Sequence, residues 1–547
     1  MNPAHRFETI TLNEAQRETF LARVRAGVSP DDYRIIEGMS HALPEMLTLL
    51  EQHPATLRKL QHLLFGPRTE QTDRVCPPCS PTTAIEVSKP KAKGHGRIKA
   101  EDYTGAHWVH VPHPDLKPGN QCPSCSKGTL RAQASPAIIL RIEGSPPISA
   151  TGYELERLRC DTCGEVFTAP APAQAGQEKY APSVGATIAL LRYGNGMPHY
   201  RLARLQKSLG VPMPESTQWE VMQPLFQQAV PIRDALVAQA ANAPLVHNDD
   251  TPNRILDLRR PGSATAAEVD TERKGTFTTN ILAEVEQHPV ALYFTGWKHA
   301  GENLADVLSQ RSLDLDPPIQ MCDALSRNTS PEFKTILAHC LVHGRREFVT
   351  VAEKFPEECR YVLDALRQVY RFDAQTKELG MNPEERLAYH QTQSRPVLED
   401  LKAWMQGKLD LKQVEPNSGL GEAMGYMLKH WKPLTLFLRK AGAPLDNNRC
   451  EQALKMAILH RKNSLSYKTL NGAQTGDLFM SLIHTCRLNA INPFEYLMAI
   501  ATHPDEVKSH PTDWLPWNYP CANTTATPGH HHDPPGKTPL RGVPARR

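Results

Sequence analysis

Three acids lie far apart along this 547-residue chain in settings that suit metal chemistry. Asp249 follows the short apolar run Leu245 to His247, Asp323 follows Ile319 to Cys322, and Glu451 falls in the first turn of a helix otherwise crowded with bases. Runs of this kind predict strands, and two strands that each deliver an aspartate at the carboxyl end put both acids on one rim of an open α/β sheet. Around Glu451, Asn448 is expected to be the N-cap of a capping box. Leu454, Ala457 and Ile458 supply a buried stripe, and Lys455, Arg461 and Lys462 are left for an anionic partner. An acid among bases at a helix start suits a metal bound to a polyanion; closing the capping box is its plainer role.

A second set of ligand types is Cys122, Cys125, Cys160 and Cys163, in the pairs CPSC and CDTCG. Two such knuckles present four thiolates to a tetrahedral zinc, a closed and therefore structural site. The stretch between them exceeds the commonest spacing of roughly 15 to 20 residues, so the reading is a zinc ribbon with a long hairpin arm. Cys76 and Cys79 form a lone pair beside prolines and read as free thiols.

Composition bounds the setting. The 62 basic and 59 acidic residues nearly cancel, so any basic surface must be local. No signal-peptide pattern or bilayer-length apolar run is seen, and the 12 cysteines are dilute; a cytoplasmic protein with no membrane partner is expected.

The elements that must position these groups run as follows. Residues 1–75 read as short helices, including an apolar face of Leu57, Leu60, Leu63 and Leu64 that forms a small local core or a self-association face. Residues 76–110 are a Pro-rich basic linker with Lys89, Lys91, Lys93 and Arg97, able to track phosphates or to act only as a solvated tether. The ribbon covers 111–170. Residues 171–242 are helical, with Arg201, Arg204 and Lys207 on a middle segment before a tight turn, which reads equally as a helix-turn-helix DNA reader or a plain bundle. Residues 243–505 form the α/β region. Its strands are expected at 245–247, 254–258, 276–284, 291–295, 319–322 and 340–343, with helices at 302–308, 331–338 and 345–355. A helical block at about 360–441 looks like an insertion before Glu451. Residues 506–547 are Pro-rich and are expected to be disordered, and nothing is expected of His530 to His532.

The stretches HNDDT (247–251), MCDALSRN (321–328), CLVHGRREF (340–348) and LDNNRCEQAL (445–454) together resemble a transposase of the insertion-sequence 66 family. LLFGPRTE, the GHGR element, the paired CxxC ribbon and RLNAINPFEYL fall in that family's order, so the resemblance spans about Leu57 to Ile500. It implies a DDE transposase with an RNase H-like core, a helical insertion before the last acid and a zinc segment ahead of the core. By motif, Asp249, Asp323 and Glu451 match the three acids. Many members have an alanine and then Asp-Glu-Thr where this chain has Asn248, Asp249, Asp250 and Thr251. Asp249 keeps the family register, and strand alternation puts Asp249 and Asp250 on opposite faces.

The implied chemistry uses two magnesium ions, with Asp249 bridging both and Asp323 and Glu451 holding one each, first to free a 3′-hydroxyl and then to join it to target DNA. Arg345, Arg346, Arg461 and Lys462 are expected to contact phosphates. His343 orients a phosphate or water, or simply packs; Trp404 and Trp431 stack on an unpaired base or pack in the core. The implied partners are double-stranded transposon-end and target DNA, a second copy of the chain, and accessory proteins of the same element, which sets the protein at the nucleoid. An RNase H-like nuclease without strand joining and a catalytically inactive zinc-ribbon DNA-binding protein are the alternatives.

Overall fold

The computed structural model describes residues 14–25, 27–29, 33, 36, 72–76, most of 110–163, and 165–259 and 275–519. The leucine face at 57–64, the basic linker, Cys79, Cys160 and His530 to His532 lie outside the described residues. The chain divides into two units, Met1–Ser80 with Val349–Asp364, and Pro81–Phe348 with Ala365–Arg547. In the first, a helix spans Glu14–Arg25, and Arg360 ties the short Thr72–Val75 turn by bonding the carbonyl of Cys76 at 2.5 Å and Asp73 at 3.1 Å.

The second unit begins with an antiparallel pair, β1 (Arg157–Arg159) and β2 (Val166–Thr168), all six residues of which are exposed. Three helices follow: α1 (Pro182–Ala189), α2 (His199–Ser208) and α3 (Glu215–Ala241). Pro182 and Pro198 mark the first two starts, where a missing N–H costs nothing. Gly210, at φ 78, makes the turn after α2 in a conformation that an L side chain adopts only with strain.

A five-stranded mixed sheet is the centre of the unit. Its strands are β3 (Leu245–Asn253), β4 (Thr276–Val285), β5 (His288–Gly296), β6 (Ile319–Cys322) and β7 (Ile336–His339), in the order β5-β4-β3-β6-β7. The first three form an antiparallel meander, while β6 and β7 run parallel to β3. Between β5 and β6 lies α4 (Ala300–Leu308), and after β7 come α5 (Leu341–Val351), α6 (Pro356–Glu378), α7 (Pro383–Asp410) and α8 (Gly419–Lys429). The chain then returns to the sheet with α9 (Asn448–Ser464), α10 (Leu470–Leu488), α11 (Pro493–Thr502) and α12 (Pro504–Ser509).

One apolar core joins these layers. Ile188, Leu236, Val246, Leu292, Phe479, Ile483, Leu497 and Trp514 all bury in it, so the helices before the sheet and those after it close over the same strands. An α/β fold is therefore what the chain adopts. Polar groups are matched inside it: the Asp477 carboxylate of α10 accepts from the Thr295 N–H at 2.7 Å and its hydroxyl at 2.6 Å, pinning α10 to β5.

Several expected boundaries are corrected. The expected strand at 254–258 is absent; β3 instead continues through both aspartates to Asn253, because β4 pairs with it residue for residue and outweighs the weak strand propensity of Asn and Asp. The expected helix at 331–338 and strand at 340–343 are a strand at 336–339 and the start of α5. A short apolar run fits either, and parallel pairing with β6 selects the strand. The disordered stretch does not begin at 506, since α12 forms there and Trp514 and Leu515 bury in the core.

Candidate active site

The parallel ladder sets the first relationship. Leu245, Val246 and His247 pair with Ile319, Gln320 and Met321, so two further steps bring Asp323 level with Asp249 on the neighbouring strand. Asp249 thus stands in mid-strand rather than at the end of β3, just past the point where its parallel neighbour stops.

The two adjacent acids divide as strand alternation requires. Asp250 is buried, 3.0 Å from His299 Nδ1 and 3.3 Å from the Arg327 guanidinium, so its charge is already matched. Asp249 is half-buried and, among the described residues, accepts only the short N–H bond of Asp250, at 2.8 Å. Burial pushes its carboxyl up to about 7, and Asp323 adds to the rise, followed by Asp250 and Glu451. The other two acids therefore act on the same carboxylate.

Glu451 arrives on α9. The helix begins one residue earlier than a capping box would need: Asn447 is the N-cap, and neither Asn448 nor Glu451 closes a box. The Asn447 side chain is used elsewhere, its Oδ1 lying 2.9 Å from His247 Nδ1 and its amide donating to the carbonyl of Asn248 at 3.2 Å. Asp446 instead accepts the Asn448 N–H at 3.1 Å. These bonds moor the start of α9 on β3, and the Tyr293 hydroxyl, donating to the Ala453 carbonyl at 2.7 Å, moors it on β5. Glu451 Oε1 is left buried with no hydrogen-bond partner among the described residues. A carboxylate oxygen in that position is costly unless a cation or donor meets it.

Asp323 lies 2.7 Å from His343 Nδ1 in the first turn of α5, and with Cys340 these residues present ligand atoms within 4.8 Å of one another. Asp323, and then the Cys340 sulfur, push the His343 imidazole up to about 10. The three carboxylates Asp249, Asp323 and Glu451 do not make up a comparably close group among the described residues. No pattern in the sequence singles out Cys340 or Asn447, although both fall inside stretches that carried the resemblance.

The expected cations fall in three places. Arg201, Arg204 and Lys207 are exposed along α2, and Arg201 reaches Asn463 near the end of α9 at 3.4 Å. Lys462 is exposed there, whereas Arg461 donates to the Thr251 hydroxyl at 3.0 Å and to the carbonyl of Pro252, which spends it on holding α9 to β3. Arg345 is half-buried and Arg346 exposed on α5, two and three residues after His343. Trp404 and Trp431 are half-buried, beneath Lys408 and Lys402 respectively.

In the arm, the N–H of Cys122 donates to the Gly128 carbonyl at 2.7 Å and closes a tight turn. The Cys125 thiol is pushed down by the backbone N–H groups of Lys127 and Gly128 and then by Cys122. Donors turned toward a sulfur favour the thiolate that a metal requires. Cys163 is exposed on the β1–β2 side, and Cys160, the fourth thiol, lies outside the described residues.

A mixed sheet closed by helices, with Asp249 and Asp323 level with each other at the step between β3 and β6, defines an α/β protein whose candidate chemistry sits on one rim. The model of the family described as "Transposase IS66 family" matches residues 178–475, more than half of the chain. The chain belongs to the IS66 family of transposases, and membership implies DNA binding and, in general, use of divalent metal. Two curated relatives from Sinorhizobium fredii resemble it along most of its length. The uncharacterized protein y4jD is 26% identical over 85% of this chain and 94% of its own, and y4hP is 24% identical over 85% and 88%. No solved structure matches. No helix among the described residues is long and apolar enough to cross a membrane.

Proposed function

We propose that the protein is a DDE transposase that binds the ends of an insertion sequence and carries out metal-dependent strand cleavage and strand transfer, with Asp249, Asp323 and Glu451 as its catalytic acids. The observation that supports this reading is the register of Asp249: Asp323 falls level with it across the β3–β6 ladder, and Glu451 lies one turn into a helix moored on β3. Family membership supplies the class of reaction. The strand order and directions, a three-strand meander continued by two parallel strands, support an RNase H-like core, and α6 to α8 suit an insertion ahead of Glu451.

The donor set fits hard divalent cations. Asp249, raised by burial and by its companion acids, and Glu451, with a buried oxygen unpartnered among the described residues, are the carboxylates left for a cation, while His343 already faces Asp323. Magnesium bound there would supply Lewis acidity to the attacking and leaving oxygens of a phosphodiester. Asp249 would serve both ions, and Asp323 and Glu451 would hold one each. His343 orients the Asp323 carboxylate from the side, and Asp250, paired with Arg327 and in contact with His299, keeps Asp249 on the accessible face.

The exposed cations of α2, with Lys462, Arg345 and Arg346, suit phosphate positioning rather than base reading. The low-lying Cys125 thiol supports a structural zinc held by Cys122, Cys125, Cys160 and Cys163. Pairing of two element ends calls for a second copy of the chain and for accessory proteins of the element.

The test is cleavage and joining of labelled element-end DNA with magnesium. Asp249→Asn should abolish both while end binding persists; unchanged cleavage would remove Asp249 from the site. Cleavage without joined products would mark a nuclease, and binding without cleavage an inactive DNA-binding protein.

A further inference from the structure

Away from the acids, a cavity of about 700 Å³ opens between α2, the start of α3 and the junction of α9 with α10. Its walls combine aromatic surface with unpaired polar atoms. Tyr200 is exposed and Trp219 half-buried, and both rings line it. Arg192, His199 and Ser464 also line it, and in each a side-chain atom, Nε, Nε2 and Oγ respectively, is buried without a hydrogen-bond partner among the described residues. Lys468 adds an exposed cation at its edge.

The hydrogen-bonding character of two of these atoms is set by their neighbours. Gln218 donates its amide N–H groups to the carbonyls of His199 at 3.0 Å and Met213 at 2.8 Å, so its oxygen is the atom 2.9 Å from His199 Nδ1. Nδ1 must then carry the proton, and Nε2 is left as an acceptor. Burial and the nearby Arg192 hold this imidazole neutral, pushing it down to about 4. The cavity therefore offers an acceptor at His199, a donor at Arg192 and a hydroxyl able to do either at Ser464, beside two flat rings. That combination matches the edge and the face of a nucleobase, because every base carries both a donor–acceptor edge and a π surface.

The position relates this cavity to the acids. Ser464 stands on the helix that carries Glu451, about 20 Å further along at roughly 1.5 Å per residue. That is the rise of about six base pairs at roughly 3.4 Å each. The basic face of α2 flanks the same route, since Arg201 reaches Asn463.

We propose that this cavity takes one unpaired base of a DNA strand, laid against Tyr200 and Trp219 with its edge on His199, Arg192 and Ser464 and its adjoining phosphate near Lys468. The inference rests on the DNA-binding reading above and goes beyond it in assigning a site for an extruded nucleotide.

The test uses the full-length chain and a duplex with a single bulged 2-aminopurine, compared with the same duplex fully paired. The bulged duplex should bind about tenfold more tightly, with a change in 2-aminopurine fluorescence. Tyr200→Ala and Lys468→Ala should each erase most of that preference while paired-duplex affinity and the melting temperature change little. Arg204→Ala, on the basic face outside the cavity, should weaken both duplexes alike. Equal affinity for bulged and paired DNA, or a preference that survives both cavity variants, would overturn the assignment and leave the transposase reading standing. Tight binding of free dAMP or dGMP without competition against bulged DNA would also overturn it, marking a mononucleotide site. Failure to bind either duplex would overturn this inference and the transposase reading together.

Discussion

His247 and Asn447, two hundred residues apart in the chain, share a buried hydrogen bond of 2.9 Å that joins the central strand to the start of α9. Both side chains are fully engaged by it: burial holds His247 neutral, at about 4, and the Asn447 amide bonds the Asn248 carbonyl as well. Asn447→Ala leaves a ring nitrogen and a carbonyl unpaired, which should cost about 2–4 kcal/mol in a denaturant titration. The same variant should lower cleavage more than its lost stability explains, because the Glu451 turn loses its mooring. A folded variant with full activity would show that the position of Glu451 does not depend on this bond.

Divalent cation should stabilise the protein through the acidic rim. Millimolar magnesium is expected to raise the melting temperature of the wild-type chain, as any ligand of the native state does. Asp249→Asn and Glu451→Gln should each remove most of that rise. Differential scanning fluorimetry with and without chelator checks it, and an equal rise in all three proteins would place the cation elsewhere.

Asp477 predicts a pH dependence separate from the rim. Burial raises its carboxyl to about 7 despite two bonds from Thr295. A raised acid is protonated more readily when folded, so its contribution is fully present below about 3.8 and is lost as pH rises through about 7. Asp477→Asn should therefore gain on the wild type between pH 5 and pH 8, by an amount on the order of 2 kcal/mol. Parallel stability curves for the two proteins would mean that the carboxyl is not raised.

Chelation should separate the arm from the rim. Removing zinc with a strong chelator, or Cys125→Ser, is expected to unfold residues 111–170 while the sheet keeps its far-ultraviolet signal and its thermal transition. Metal content by mass spectrometry should fall from one zinc per chain to none. A Cys125→Ser variant that retains a full equivalent of zinc would show that this thiol is not a ligand.

Gly301 reports on the packing of α4. A Cβ there would meet the Thr329 backbone at 2.4 Å, with no flexible side chain to yield. Gly301→Ala should cost about 1–3 kcal/mol by thermal unfolding, and it should disturb the loop that carries Arg327 to Asp250.

How much of this was legible in the sequence differs by element. The run IQMC before Asp323 is apolar but for Gln320 and bounded, and β6 has the expected limits. The family register singled out Asp249 and alternation put Asp250 on the other face, and the burial of Asp250 beside His299 and Arg327 agrees with that division. Local pattern failed where pairing decides: β3 runs on through Asn and Asp because β4 lies beside it, and ILAH became a strand because β6 needed an edge partner. The capping box failed because Asn447 makes its bonds across the fold rather than along the helix. The cavity was invisible for the same reason, its lining being gathered from about residue 192 to residue 472.

The unequal lengths of β3 and β6 have a consequence of their own. A nine-residue strand beside a four-residue one leaves a notch in the sheet, and Asp249 stands on its lip. Were β6 two residues longer, its backbone would pair with β3 beside Asp249 and close the notch. Beyond His247, that side of β3 is left without a ladder partner from β6.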